Sequence, residues 1–283
     1  MGMSSERRGT VKSSGQEEEL RSVRAIARIA GRAGLLCAGL LLACSASFAT
    51  TDQLFDKVYP LTSGGDFQLD NVNGSVQVDG WDRDEVEVSA VKTAQDDTLS
   101  GDLDNVQIDV ESHPGQVAVH TRYPAGEGSN VAVEYHVHVP YKVLLSGVKT
   151  VNGSVSVRGV NGGGDLRSVN GDVEVTDSTG PFNAKTTNGD LRLQLRKVKT
   201  SAPMNIETVN GSVVLSLPSN AAANLKVQNM NGHFSSELPV NAATAPTSAP
   251  VFKAKIGGGG GEISLRTING GIRLVRDGTG PGA

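Results

Sequence analysis

The chain of 283 residues contains only two cysteines, Cys37 and Cys44, and both lie in its first 49 residues. If that stretch is a leader, the mature chain has none, which excludes disulfides, thiolate nucleophiles and cysteine-ligated metals. Aromatic residues make up 4% of the chain and Trp81 is the single tryptophan, so no aromatic platform for sugar stacking is visible. Little helical periodicity occurs after Ala49. The apolar run Gly34 to Cys44, about eleven residues, is too short to span a bilayer comfortably. No nucleophile elbow, phosphate loop, dinucleotide fingerprint or metalloprotease helix is present. No catalytic residue and no cofactor is therefore expected.

What the first 49 residues do contain is a polar stretch (Ser4 to Leu20), a basic stretch (Arg21 to Arg32) and then that apolar run, the layout of a secretory signal. Ser47-Phe48-Ala49 has the small residues needed for cleavage before Thr50. Leu41-Leu42-Ala43-Cys44 reads alternatively as a lipobox that would lipidate Cys44. Simple secretion is preferred, because a second Leu before the small residue is less typical of a lipobox. Residues 1–49 hold 7 Lys/Arg and 4 Asp/Glu, so removing them from totals of 26 and 30 leaves 19 and 26, a net charge of −7. An acidic mature chain is a poor partner for nucleic acid or anionic lipid. Membrane attachment enters only through Cys44.

The most informative stretch runs from Lys149 to Leu193, where one phrase recurs with its asparagines 18 residues apart, at Asn152, Asn170 and Asn188. The phrase returns at Asn210, Asn231 and Asn269 and has an earlier copy at Asn73. Each Asn is followed by glycine: Gly74, Gly153, Gly171, Gly189, Gly211, Gly232 and Gly270. Asn-Gly suits a tight corner, because glycine carries no Cβ and asparagine tolerates the left-handed region. The third and fifth residues after each Asn are apolar in nearly every copy, from Val76/Val78 through Val155/Val157 to Ile272/Leu274, which is the period-two signature of a half-buried strand. The fourth residue before each Asn is Leu69, Val148, Leu166, Ala184, Ile206, Val227 or Leu265. Each repeat is strand, corner, strand.

An antiparallel meander and a β-solenoid both accommodate that unit. The fixed period, with a second glycine-bearing corner halfway (Gly159 to Gly164, then Thr179-Gly180), favours an all-β solenoid whose rungs stack in parallel about 4.8 Å apart. A buried Val or Leu is worth about 1.5–3 kcal/mol, so stacked rungs hold a narrow core without large aromatics.

Three regions follow the leader: a β-rich part (50–147) that includes the first repeat, the repeats proper (148–275) with a loop insertion near 241–261, and a flexible tail (276–283). In the first of these, Gln116 to Tyr123 and Val131 to Val139 alternate clearly and read as a hairpin with one wet face. The Asn73 rung is expected beside the Asn152 rung, with Trp81 to Pro140 as an antiparallel excursion between them. Gly257 to Gly261 reads as loop or linker, and Ile263 to Leu274 is expected to close the array.

The phrase [Thr/Ser]-Val-Asn-Gly-x-Val-x-Val, the segment Gly80-Trp81-Asp82-Arg83-Asp84-Glu85-Val86-Glu87-Val88 and the Val139-Pro140 before the close repeats resemble the bacterial DUF4097 family, adhesin-like β-strand-repeat proteins. The resemblance covers about 66–275 and implies an exported solenoid-like protein, with envelope-stress roles in some members. It carries over no catalytic residues.

Candidate sites are few. His120, His136 and His138 share a strand parity near Glu134; they read as solvated strand histidines, or alternatively as a surface Zn²⁺ or Ni²⁺ site or a pH-sensitive patch. No metal site is assigned on that basis. Asp165, Asp172, Asp177 and Asp190 cluster at corners and read as solubilising charges, with paired-acid chemistry on a polysaccharide or Ca²⁺ binding as alternatives. Trp81 reads as a core plug or end cap. The repeated asparagines read as structural. The leading function is a non-enzymatic exported scaffold at the cell surface or in the periplasm, with a protein or glycan of the envelope as partner. An envelope-stress or signalling accessory domain is the alternative, followed by a polysaccharide-active enzyme.

Overall fold

The structure, a computed structural model, describes residues 52–94, 103–124, 130–198, 202–242 and 250–277. All fall within the unit Ala49–Ala283. The expectations for the leader, for Cys37 and Cys44, and for the tail beyond residue 277 lie outside the described residues. Those residues form strands and no helix, the all-β class that the alternation predicts.

The first strands are β1 (Asp52–Pro60), β2 (Asp66–Asp70), β3 (Val76–Trp81), β4 (Glu85–Ala94), β5 (Gln107–His113), β6 (Gln116–Arg122) and β7 (Val131–Pro140). The close repeats supply β8 (Leu144–Lys149), β9 (Val155–Arg158), β10 (Gly164–Arg167), β11 (Val173–Thr179), β12 (Phe182–Lys185), β13 (Leu191–Lys197), β14 (Met204–Glu207) and β15 (Val213–Leu217). The chain ends with β16 (Ala223–Asn231), β17 (Phe234–Ser236), β18 (Val240–Ala242), β19 (Val251–Ile256), β20 (Glu262–Asn269) and β21 (Ile272–Arg276). They make two mixed sheets. The first is ordered β1-β4-β7-β3-β9-β11-β13-β15-β21-β17 and the second β18-β19-β16-β20-β14-β12-β10-β8-β2-β6-β5.

Each Asn-Gly in the close repeats carries the chain from a strand of the second sheet to a strand of the first, so it turns a corner instead of closing a hairpin. Consecutive strands of one sheet then pair in parallel, Val155 opposite Val173 and Val173 opposite Leu191 in the first sheet, Leu166 opposite Ala184 in the second. The register is fixed by burial: a one-residue slip would put every apolar side chain on the wet face. In this register Val155, Val173, Leu191 and Val213 from one sheet and Val148, Leu166, Ala184 and Ile206 from the other are all essentially inaccessible to water.

Two side-chain ladders tie the corners together. Every Asn Nδ2 from Asn152 onward donates to an Asn Oδ1 of the adjacent copy, at 2.8–2.9 Å. One turn inside, the buried hydroxyls of Thr150, Ser168, Thr186, Thr208 and Thr267 donate to the carbonyl oxygens of Gly74, Gly153, Gly171, Gly189 and Gly211 at 2.8–3.0 Å. These hydroxyls satisfy carbonyls that a bent backbone would otherwise leave without a partner. Glycine is required here by proximity: a Cβ on Gly171 would overlap the carbonyl of Gly153.

Several expectations are corrected. β6 and β7 do not form a hairpin; β6 pairs in parallel with β2, and β7 in parallel with β3. Alternation specifies which face is buried but not which neighbour is paired, and parallel addition buries the same side chains. The excursion is therefore mixed: β4 pairs antiparallel with β1 and β7, and β5 with β6, while the Asn73 corner lies beside Asn152. Ile263–Leu274 does not close the array, because β20 and β21 insert between the Asn210 copy and the Asn231 copy. Gly257–Gly261 is the loop expected, and it is tied down. It crosses the start of β16, connecting β19 on one side of that strand to β20 on the other. The crossing is held by Asn224, whose backbone N–H donates to Gly261 O at 3.0 Å and whose side chain donates to Gly260 O. Positive φ at Gly257 (54°) and Gly259 (79°) lets the chain turn over that end. Pairing is continuous across residues 147 and 148 through β2–β8 and β3–β9, so the two expected regions share their sheets.

Candidate functional site

One polar cluster outside the ladders lies on the outer face of the first sheet, where β4, β7, β3 and β9 run side by side. The register places Glu87, His138, Asp79 and Arg158 in one cross-strand row. His136, two residues before His138, projects from the same face beside Gln77. Asp79 is the buried member of the group, with its side chain 9% exposed, while His136 is half exposed.

Asp79 is fully engaged. Its Oδ1 accepts from Arg158 Nε at 2.8 Å, and its Oδ2 from Gln77 Nε2 at 2.7 Å and lies 2.8 Å from His136 Nε2. Burial alone would raise its pKa, but the hydrogen bonds from Gln77, His136 and Arg158 and the guanidinium charge together hold the carboxyl below the usual carboxylate range. His138 Nδ1 faces Glu87 Oε2 at 3.1 Å without forming a hydrogen bond. The His138 ring stacks on Trp81 with centroids 5.0 Å apart and an interplanar angle of 16°. Arg83 covers the Trp81 ring at 4.6 Å, and the indole N–H donates to Glu85 O at 2.8 Å. Trp81 is thus neither core plug nor end cap but a half-buried surface ring that orients a histidine. Asp79, His136 and His138 each offer a ligand atom within 4.8 Å of the others. They edge an open groove of about 580 Å³ that continues past Tyr141, Asn161, Asp177 and Arg196.

The other sequence candidates do not converge on this place. His120 belongs to the second sheet, where its Nδ1 lies 3.2 Å from Asp70 Oδ2; the expected three-histidine patch is corrected to a pair plus Asp79. Glu134 shares the strand of His136 but is exposed and outside the cluster. Asp172 and Asp190 are bridged by Arg192 at 3.0 and 2.6 Å, and each also accepts a backbone N–H, from Asp190 and Ser212 respectively, so they serve their corners. Asp165 accepts from Asn183 on the second sheet. Asp177 alone reaches the groove, at a positive φ of 49°.

The asparagines at 73, 152, 170, 188, 210, 269 and 231 line up in that spatial order, with Gly74, Gly153, Gly171, Gly189, Gly211, Gly270 and Gly232 beside them. Sequence reasoning missed the role of the hydroxyl two residues before five of the seven asparagines (152, 170, 188, 210 and 269), although the recurring Thr or Ser was the signal for it. It also missed Asp79, because 57 residues separate it from His136.

A family model described as Toastrack DUF4097 matches residues 53–275. No curated protein matches the chain. Among solved structures, the chain is similar to a candidate cell adhesion protein from Clostridium sporogenes, at 13% identity over 80% of this chain and 100% of that one, with a TM-score of 0.44. It is also similar to a candidate adhesin from Bacteroides fragilis, at 8% identity over 79% and 97%, TM-score 0.40. A candidate lipid-binding protein from Parabacteroides distasonis shares 10% identity over 78% and 96%, TM-score 0.33.

Proposed function

From the premise that this chain belongs to the Toastrack DUF4097 family, we propose that it is an exported, non-enzymatic β-solenoid of Asn-Gly-cornered repeats, an adhesin-like interaction scaffold at the cell surface or in the periplasm. The observation that carries the reading is the use made of the repeat's own polar groups. Asparagine amides and threonine hydroxyls hydrogen-bond to one another and to the backbone along the whole stack. That makes a stiff support on which outward-facing residues are free to vary. A set of polar and charged side chains that takes no part in the ladders then collects at an open groove on the outer face, suited to holding a partner. The leader features and the net acidity of the remainder agree with export and with an envelope protein or glycan as partner.

The test is protease accessibility of an epitope-tagged copy in intact cells, with membrane and soluble fractions separated beforehand. Cleavage in intact cells supports a surface scaffold, and protection until the envelope is opened supports a periplasmic one. Retention in the cytoplasm with residues 1–49 uncleaved overturns the reading. Partition into the membrane fraction that is lost in Cys44→Ser identifies lipidation as the anchor.

A further inference from the structure

We propose that Asp79, His136 and His138 form a binding site for a first-row divalent transition-metal ion, with zinc the best fit. Two imidazoles, borderline donors that such ions prefer, joined by one carboxylate make a donor set they accept, whereas Ca²⁺ and Mg²⁺ call for more oxygen ligands. The three ligand atoms already lie within 4.8 Å of one another. Ligands of a tetrahedral zinc with bonds of about 2.0–2.2 Å sit closer than that. Asp79 Oδ2 and His136 Nε2 are already 2.8 Å apart, so the difference lies with His138, and small rotations of the half-exposed His136 and the partly exposed His138 close it.

The surroundings resemble the outer shell of a metal site. A ligating histidine commonly presents its second ring nitrogen to a carboxylate, which fixes its tautomer and orientation. His138 turns Nδ1 toward Glu87 Oε2 at 3.1 Å without a formed hydrogen bond, an arrangement in which Nε2 would be the donor to the ion, while the Trp81 ring stacks on its plane. Asp79 is oriented in the same way: Arg158 occupies Oδ1, Gln77 donates to Oδ2, and Oδ2 is also the oxygen that faces His136 Nε2, whose hydrogen bond the ion would replace. Loading the ion displaces whatever proton is shared between that nitrogen and that oxygen, so both groups bind in their unprotonated forms. The Arg158 charge opposes a cation and sets the expected affinity in the micromolar range, not the nanomolar range of a closed structural site. Three protein donors leave a position for water, or for a donor atom supplied by whatever occupies the groove.

The experiment uses the purified chain after stripping with chelator, titrated with Co²⁺ by visible absorption and with Zn²⁺ by calorimetry. One ion per chain is expected, with micromolar affinity, Zn²⁺ displacing Co²⁺, and cobalt bands of low coordination number. His136→Gln and His138→Gln should each weaken binding at least tenfold, and Glu87→Gln by about ten- to a hundredfold. His120→Gln, on the other sheet, should bind as the parent does. Circular dichroism of each variant establishes that it is folded. Stoichiometric binding that survives both His136→Gln and His138→Gln overturns the assignment, as does a folded parent chain that binds neither ion at millimolar concentration.

Discussion

Replacing Thr186 with Val isolates one rung of the inner ladder. The two side chains have nearly the same shape, so the change removes a hydroxyl and leaves the packing. Thr186 is fully buried and its Oγ1 donates to Gly171 O at 2.8 Å. Without it that carbonyl loses its side-chain donor in a partly buried place crowded by the neighbouring Gly189 corner. Leaving one buried acceptor unsatisfied costs about 1–3 kcal/mol, and for a domain of this size each kcal/mol corresponds to a fall of about 2–4 °C in Tm. Urea unfolding followed by circular dichroism measures the loss directly, with an unchanged m-value showing that the denatured state is the same. Thr186→Ser is the control, because Ser168 already fills the equivalent position with the same bond to Gly153. That variant should lose only the contribution of a methyl group. If Thr186→Val is no less stable than Thr186→Ser, the hydroxyl ladder contributes nothing and the reasoning fails.

Other outcomes follow from the same contacts. Gly171→Ala drives a Cβ into the Gly153 carbonyl, where backbone must shift, and should cost about 1–3 kcal/mol or more in urea unfolding; Gly258→Ala, in open space, should be close to neutral. At the far end of the stack Asn229 occupies the threonine position, buried, with neither amide atom paired. Asn229→Thr should therefore raise Tm by a few degrees by supplying a hydroxyl to the Gly270 corner. Burial raises the pKa of the Tyr123 and Tyr135 phenols above 10.0. Their contribution is complete below that value and is lost as pH rises, by up to about 1.4 kcal/mol per pH unit for each phenol still protonated in the folded state. Burial lowers Lys92, which acts in the opposite sense but only below 10.5. The alkaline limb of a stability curve should therefore fall, and Tyr123→Phe should flatten it.

Much of this architecture is visible in the residues themselves. The apolar residues after each Asn and the apolar position before it are buried from Leu69 to Leu274, because period-two alternation reports burial directly. What alternation does not report is the identity of the neighbour. Gln116–Arg122 and Val131–Pro140 bury the same side chains whether they pair with each other or with β2 and β3, and the second arrangement is the one observed. Near-identical phrases also carry no address: Met230-Asn231-Gly232 and Ile268-Asn269-Gly270 are equally good corners, and nothing in them says which rung follows Asn210. The candidate site was half legible: His136 and His138 stood out by their spacing, but Asp79, Glu87 and Arg158 reach them only through pairings between distant strands.

The insertion of β20 and β21 between β14 and β16, and between β15 and β17, fixes an order of events as well as a shape. A chain that emerges from its N-terminus lays down 204–217 and then 223–236 before the residues that belong between them exist. The earlier rung therefore offers an open edge to the wrong successor, whose Val227 and Phe234 mimic the Leu265 and Ile272 that should dock there. Assembly cannot finish as a simple winding from one end; it waits for residues 262–276, which must take the edge that 223–236 could occupy first. A transport route that delivers the chain whole and unfolded lets the two segments compete at the same moment, whereas gradual emergence gives the wrong one a head start.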